Sequence, residues 1–264
     1  MEKRAIANFV NELPAMGRYT FSREEIEQKF EKSDAAIKLA LNRLQKKGKV
    51  VSPRRGFYVV VPEQYMLTGA PPPVWFIDAL MKDWQSEYYV GLLSAAELHG
   101  AAHHHPQEFQ VICDTPHRAI HLARYRIHFF KKWNVQETPT EPRNSPTGQM
   151  KVSTPEATAL DLVRYYESAG HYSNVATVLS ELSEKMTGRS LVAAAKCGVE
   201  LAVVQRLGFI LDIVEKPKLA DPLHDWLGSQ SPRITRLRPD LDSESTELNK
   251  KWNLYINDQI EPEE

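Results

Sequence analysis

Lys38 and Asn42 stand four residues apart, so on a helix they share one face. Their chemistry is that of base-edge recognition: the Asn42 amide can pair with adenine, and the Lys38 ammonium can reach guanine or a phosphate. Ser33 and Asp34 sit at the N-terminal end of the same run, the end that usually enters a groove first. Arg43 and Lys46 are placed to hold the nucleic-acid backbone, and Arg54 and Arg55 to set a basic turn on phosphates or in a minor groove. The same residue types also fit ordinary solvated charges on a small helical domain.

Other constellations carry less. His103, His104 and His105, with His99 nearby, raise metal binding, but adjacent side chains converge on one ion only through a tight turn, and cysteine or acidic ligands at suitable spacing are missing. His117, His121 and His128 alternate with Arg118, Arg124 and Arg126, a pattern that suits an acidic partner face, RNA, or simply the surface of a curved sheet. Asp161, His171 and Ser173 lack a nucleophile elbow, and Asp221, Asp225, Asp240 and Asp242 sit in turn-like surroundings. The sequence has no phosphate-cradling glycine loop followed by Lys and Ser/Thr. We therefore expect no catalytic residues, no metal and no cofactor.

The elements that must position Lys38 and Asn42 run from Tyr19 to Pro62. Ser22 followed by Glu25 predicts a capping box, and Ser33 caps a second helix. Ile37, Leu41 and Leu44 form that helix's apolar stripe, leaving Ser33, Asp34, Lys38, Asn42 and Gln45 near the opposite side. Gly48 stops it after Lys46 and Lys47, which suit the negative end of the dipole. Val50 to Val61 then reads as two strands around Arg54, Arg55 and Gly56. With the amphipathic run Ile6, Phe9, Val10 and Leu13 in front, this is the order of a winged helix-turn-helix: support helix, recognition helix, basic wing.

The expected architecture is α+β, with the winged helix-turn-helix over 1–62, a proline-rich linker over 63–74 and a larger mixed domain over 75–264. Pro71, Pro72 and Pro73 predict a stiff extended connector. Strands are expected near 88–90, 108–113 and 119–132, a long surface loop over 134–148, and a helix begun by Thr154, Pro155 and Glu156. Helices follow near 173–186, 190–198, 200–213 and 219–227, with short strands near 234–237 and 251–256.

Charge divides the chain unevenly. Residues 1–61 hold 13 Lys or Arg against 7 Asp or Glu, a net of +6, whereas residues 62–264 hold 20 against 27, a net of −7. A basic unit joined to an acidic one predicts a nucleic-acid contact in the first and a protein or dimer contact in the second. Two cysteines without ligand spacing, no signal-peptide core and no long apolar run predict a cytoplasmic chain without membrane attachment.

Three blocks in order give the chain a resemblance to a known family: the 19–62 segment, YYVGLLSAAELHG at 88–100 and VSTPEATALDLVRYY at 152–166. The chain resembles the antitoxin and transcriptional-regulator component of the AbiE abortive-infection family, a type IV toxin–antitoxin system of phage defence. That resemblance implies an N-terminal domain that binds inverted repeats in double-stranded DNA and represses its own operon. It also implies a larger antitoxin domain that opposes a separately encoded nucleotidyltransferase-like toxin without needing a stable complex. Tyr88, Ala95, Ala96, Leu98, His99 and Gly100 match the middle block, and Thr154, Pro155, Glu156, Ala159, Leu160, Asp161 and Leu162 the later one. His99, Glu156 and Asp161 are its polar members worth testing. The rival classes are a protein-interaction module, an orphan regulator without a toxin, and a nucleic-acid-processing enzyme using the acidic positions.

Overall fold

The computed structural model describes residues 6–101, 106–241 and 247–262. The His103 to His105 run, Asp242, Glu263 and Glu264 lie outside the described residues. Contacts divide the chain into two units built from interleaved segments: 1–88 with 107–132 and 142–151, and 89–106 with 133–141 and 152–264.

In the first unit the order is α1 (Ile6–Glu12), β1 (Thr20–Ser22), α2 (Arg23–Lys29), α3 (Asp34–Lys46), β2 (Val50–Arg54), β3 (Phe57–Val60) and α4 (Ile77–Asp83). β1 and β2 flank β3, both antiparallel to it. Phe9, Leu13, Phe21, Ile26, Ile37 and Leu41 close the core beneath this sheet, burying the apolar stripe expected of α3. Ser22 caps α2 by accepting the Glu25 amide at 3.0 Å. Glu25 does not complete the reciprocal half of a capping box; its carboxylate accepts from Arg18 at 2.8 and 2.9 Å instead.

The segment after β3 is not an extended linker. It forms short 3-10 turns at Glu63–Tyr65 and Pro73–Trp75, and Trp75 packs edge-on to Tyr19 and Tyr65 with ring centroids 4.9 and 5.4 Å away. Residues 63–88 thereby fall within the first unit, a partition different from the expected boundary at 63–74.

β4 (Tyr88–Val90) and α5 (Leu92–Leu98) follow, then β5 (Phe109–Cys113), β6 (Ile120–Leu122) and β7 (Tyr125–Lys131). β5 and β7 run parallel, and β6 returns antiparallel to β7 through a two-residue turn at Ala123 and Arg124. Residues 134–148 are also not one loop: a 3-10 turn at Val135–Glu137 leads into β8 (Thr140–Ser145), and β9 is Gly148–Ser153. Strands β4 to β9 form a mixed sheet in the order β6-β7-β5-β4-β9-β8.

The second unit is organised around α6 (Pro155–Arg164). Thr154 caps it through the Ala157 amide at 3.3 Å, and every residue from Glu156 to Val163 is buried. A helix buried all round needs neighbours on every side. α5, α7 (His171–Leu182), α8 (Gly188–Ala195) and α9 (Leu201–Ile213) provide them. α10 (Pro217–Gly228) packs on α8 and α9. A small sheet in the order β10-β12-β11 closes the unit: β10 (Thr235–Arg236), β11 (Glu247–Asn249) and β12 (Leu254–Ile256). Trp252 is fully buried against α9, where Gly208 leaves room for its ring: a Cβ on Gly208 would lie 2.1 Å from the indole. The indole N–H donates to Asp212 at 2.7 Å.

Candidate nucleic-acid interface

α3 is a 13-residue helix whose sequence sets its orientation. Ser33 Oγ accepts the Ala36 amide at 3.3 Å, and Ile37, Leu41 and Leu44 turn inward. The opposite side carries Lys38, Leu39, Asn42, Arg43 and Lys46, all exposed, with Leu39 at 51 %. Leu39 was not singled out by the sequence patterns. Only its register, one residue past Lys38 and three before Asn42, marks it as part of the same outward face. An exposed aliphatic group among amide and ammonium groups is of the chemical kind that packs on a thymine methyl.

Acids near this face are already paired. Asp34 is bound by the Arg23 guanidinium, which also reaches Glu27 at 2.7 Å, and Arg18 holds Glu25. Hydrogen bonding to these carboxylates raises the pKa of Arg18 and of Arg23, so both cations stay charged beside them. Asp34 is therefore engaged by Arg23 at the start of α3, where its charge also suits the helix dipole. It neutralises a cation of α2 and leaves the outward face to Lys38, Leu39, Asn42 and Lys46.

The hairpin tip separates the two arginines expected to act together. Arg54 pairs across the ladder with Phe57, leaving Arg55 and Gly56 as the turn, with Gly56 at φ +88°. The Gly56 carbonyl accepts the Arg23 amide at 2.7 Å, which ties the tip to the start of α2. Arg55 is exposed. Arg54 instead donates to Asp83 at the end of α4, with its guanidinium 6.0 Å from the centre of the Trp84 ring. Burial lowers the Arg54 pKa, and its Nε has no hydrogen-bond partner among the described residues. On the other side of this cluster His117 stacks on Trp84 at 3.9 Å, with Phe129 edge-on. Nothing in the spacing of Arg54 and Asp83, 29 residues apart, announces this pairing.

The polar members of the two downstream blocks lie inside the second unit. His99 is 4 % exposed and donates from Nε2 to the Ser153 carbonyl at 2.8 Å, while Nδ1 is 3.9 Å from a Glu141 oxygen. Asp161, 1 % exposed, accepts the Tyr89 hydroxyl at 2.7 Å, and burial raises the Tyr89 pKa well above the ordinary phenol range. Glu156 is buried in the first turn of α6. Through these bonds Asp161 ties α6 to β4, and His99 ties the end of α5 to β9.

The other constellations are dispersed. Asp161 accepts the Tyr89 hydroxyl, and Ser173 accepts the Glu261 amide at 3.1 Å. Asp240 is held by Arg238 and Tyr166, Asp221 lies 3.4 Å from Lys251, and Asp225 is exposed. Among the described residues no group of three His, Cys, Asp or Glu side chains is placed to share a metal ion. No helix among them is long and apolar enough to cross a membrane.

Residues 89–213 match the family model of the AbiEi antitoxin C-terminal domain. The solved structures include the RV2827C protein from Mycobacterium tuberculosis, with a TM-score of 0.67 at 16 % identity over 94 % of this chain and 90 % of that one. At that identity the likeness is one of fold. No curated protein matches this sequence.

Proposed function

We propose that this chain is a DNA-binding transcriptional repressor of its own operon and the antitoxin of a toxin–antitoxin pair. The observation that carries the first half is the outward face of α3, where Lys38, Leu39, Asn42 and Lys46 are exposed above a fully apolar inner stripe. The order α1-β1-α2-α3-β2-β3, with β3 between the other two strands, supports the reading as a winged helix-turn-helix, in which α3 would be the helix that enters a major groove. Exposed Arg43, Lys46 and Arg55 supply phosphate contacts, and Lys38 and Asn42 read base edges. Two copies on an inverted repeat place their α3 helices about 34–36 Å apart, and such occupancy represses by excluding polymerase.

The second half rests on the match of residues 89–213 to the AbiEi antitoxin C-terminal domain. In this reading the second unit opposes a separately encoded nucleotidyltransferase-like toxin, with no stable complex required and no chemistry performed by this chain. Buried His99, Glu156 and Asp161 serve that role as scaffold. A footprint of the chain's own upstream region tests the proposal. We expect two protected half-sites related by a dyad; no protection at low salt would overturn the repressor role, and unrelieved growth arrest on co-expression with a nucleotidyltransferase-like toxin encoded beside this chain's gene would overturn the antitoxin role.

A further inference from the structure

The first unit contains a second basic element that the winged helix does not account for. Counted over its own segments, the unit holds 21 Lys or Arg against 13 Asp or Glu, a net of +8, and the second unit holds 12 against 21, a net of −9. The basic excess of the first unit is thus larger than that of its first 61 residues, and the β6–β7 hairpin contributes to it.

Arg118, His121, Arg124 and Arg126 are all exposed on or beside this hairpin. His121 and Arg126 are direct cross-strand partners, so their side chains leave the same face of the ladder. Ile120, Leu122 and Ile127 turn to the buried side. Arg124 forms the exposed turn and is braced by the Tyr125 hydroxyl at 3.0 Å and by its ring, 5.1 Å from the guanidinium carbon. The two acids in segment 107–132 are both engaged: Glu108 with His128 at 3.2 Å, and Asp114 with Ser86 at 2.6 Å.

Within the unit this hairpin is fixed beside the wing. β6 lies against β2. Arg54, Asp83, Trp84 and His117 form a continuous pairing and stacking cluster linking the wing, α4 and the segment leading into β6. Arg54 thus serves as an anchor, and the cations it brings near the wing are those of the hairpin.

We propose that the β6–β7 hairpin is a second phosphate-binding element for duplex DNA, contacting the backbone beyond the wing through Arg118, Arg124 and Arg126. It carries affinity without sequence preference, because exposed guanidinium groups on a strand pair meet phosphates rather than a groove floor. This inference rests on the DNA-binding reading above, and the test separates the two.

Full-length wild type, R124A/R126A and K38A/N42A are titrated against operator duplex, scrambled duplex and duplex RNA over a range of salt, with circular dichroism and thermal melts as folding controls. The expected result is that R124A/R126A keeps its operator preference, weakens on operator and scrambled DNA by a similar factor, and lowers the slope of log K against log salt by about 2. A folded R124A/R126A with wild-type affinity and slope, while K38A/N42A loses the operator, overturns the hairpin and leaves the repressor standing. Loss in R124A/R126A alone supports the hairpin and removes α3 as the reading element. Wild type that binds no duplex at low salt, or a hairpin effect seen only on RNA, overturns the inference. R124K/R126K, which keeps the charge, should recover most of the slope.

Discussion

Arg54 of the β2–β3 hairpin donates to Asp83 at the end of α4, while its neighbour Arg55 is exposed in the turn. Two adjacent arginines therefore have separable roles. R55A should lower the salt slope of DNA binding by about 1 and leave the melting temperature unchanged. R54A should leave the slope nearly intact and cost about 1 kcal/mol of stability, because it removes a partly exposed ion pair and a ring contact. Equal effects of the two substitutions on slope would refute the separation.

Asn42 faces outward one turn beyond Lys38. N42A should cost about 1–3 kcal/mol on the operator and almost nothing on scrambled duplex. Leu39 offers a control of different chemistry: L39A should lower preference only at positions carrying thymine. Operator variants titrated by fluorescence anisotropy give both readings, and a uniform loss across sequences would reject base contact by Asn42.

The buried pair of Asp161 and Tyr89 should behave as one structural unit. D161A leaves a buried hydroxyl without its acceptor and should destabilise by about 2–3 kcal/mol. The double variant with Y89F should cost less than the sum of the single changes, as residues in one hydrogen bond couple. Additive losses in a urea-denaturation cycle would show that the hydroxyl is held mainly elsewhere.

Gly208 admits the Trp252 ring where any Cβ would collide with it. G208A should destabilise by about 3 kcal/mol, and replacing Trp252 by Leu in the same chain should recover part of the loss. A G208A protein that melts like wild type would mean that the ring can leave its seat at little cost.

His117 should give the first unit a pH dependence. Burial holds its pKa below the ordinary histidine value, and its Nε2 has no hydrogen-bond partner among the described residues. A depressed folded pKa favours the neutral ring, so this stability is complete above the unfolded value of about 6.5 and is lost as pH falls through it. H117F, which keeps an aromatic ring on Trp84, should flatten the melting temperature between about pH 7 and pH 5. An unchanged profile would assign the acid sensitivity to another group.

What could be read in advance followed the local rules. The caps at Ser22, Ser33 and Thr154, the stripe of Ile37, Leu41 and Leu44, and the strands near 109–113 and 125–131 depend on neighbours a few residues away. β8 was hidden because its Pro, Asn and Ser residues resemble loop chemistry, and its alternation is between exposed and half-exposed positions rather than apolar and polar ones. The prolines at 71–73 suggested a spacer, but aromatic packing around Trp75 folds that stretch onto the first unit. The pairing of Arg54 with Asp83 and the seating of Trp252 on Gly208 depend on tertiary proximity, which periodicity does not encode.

The interleaving of segments sets an order on biosynthesis. The first unit includes residues 142–151, so its opening 88 residues emerge long before the strands that complete them. At about 5–20 residues per second, the interval from Tyr88 to Lys151 lasts roughly 3–13 s. During that interval the opening segment waits for strands not yet made, and unpaired strand edges of that kind are prone to aggregate.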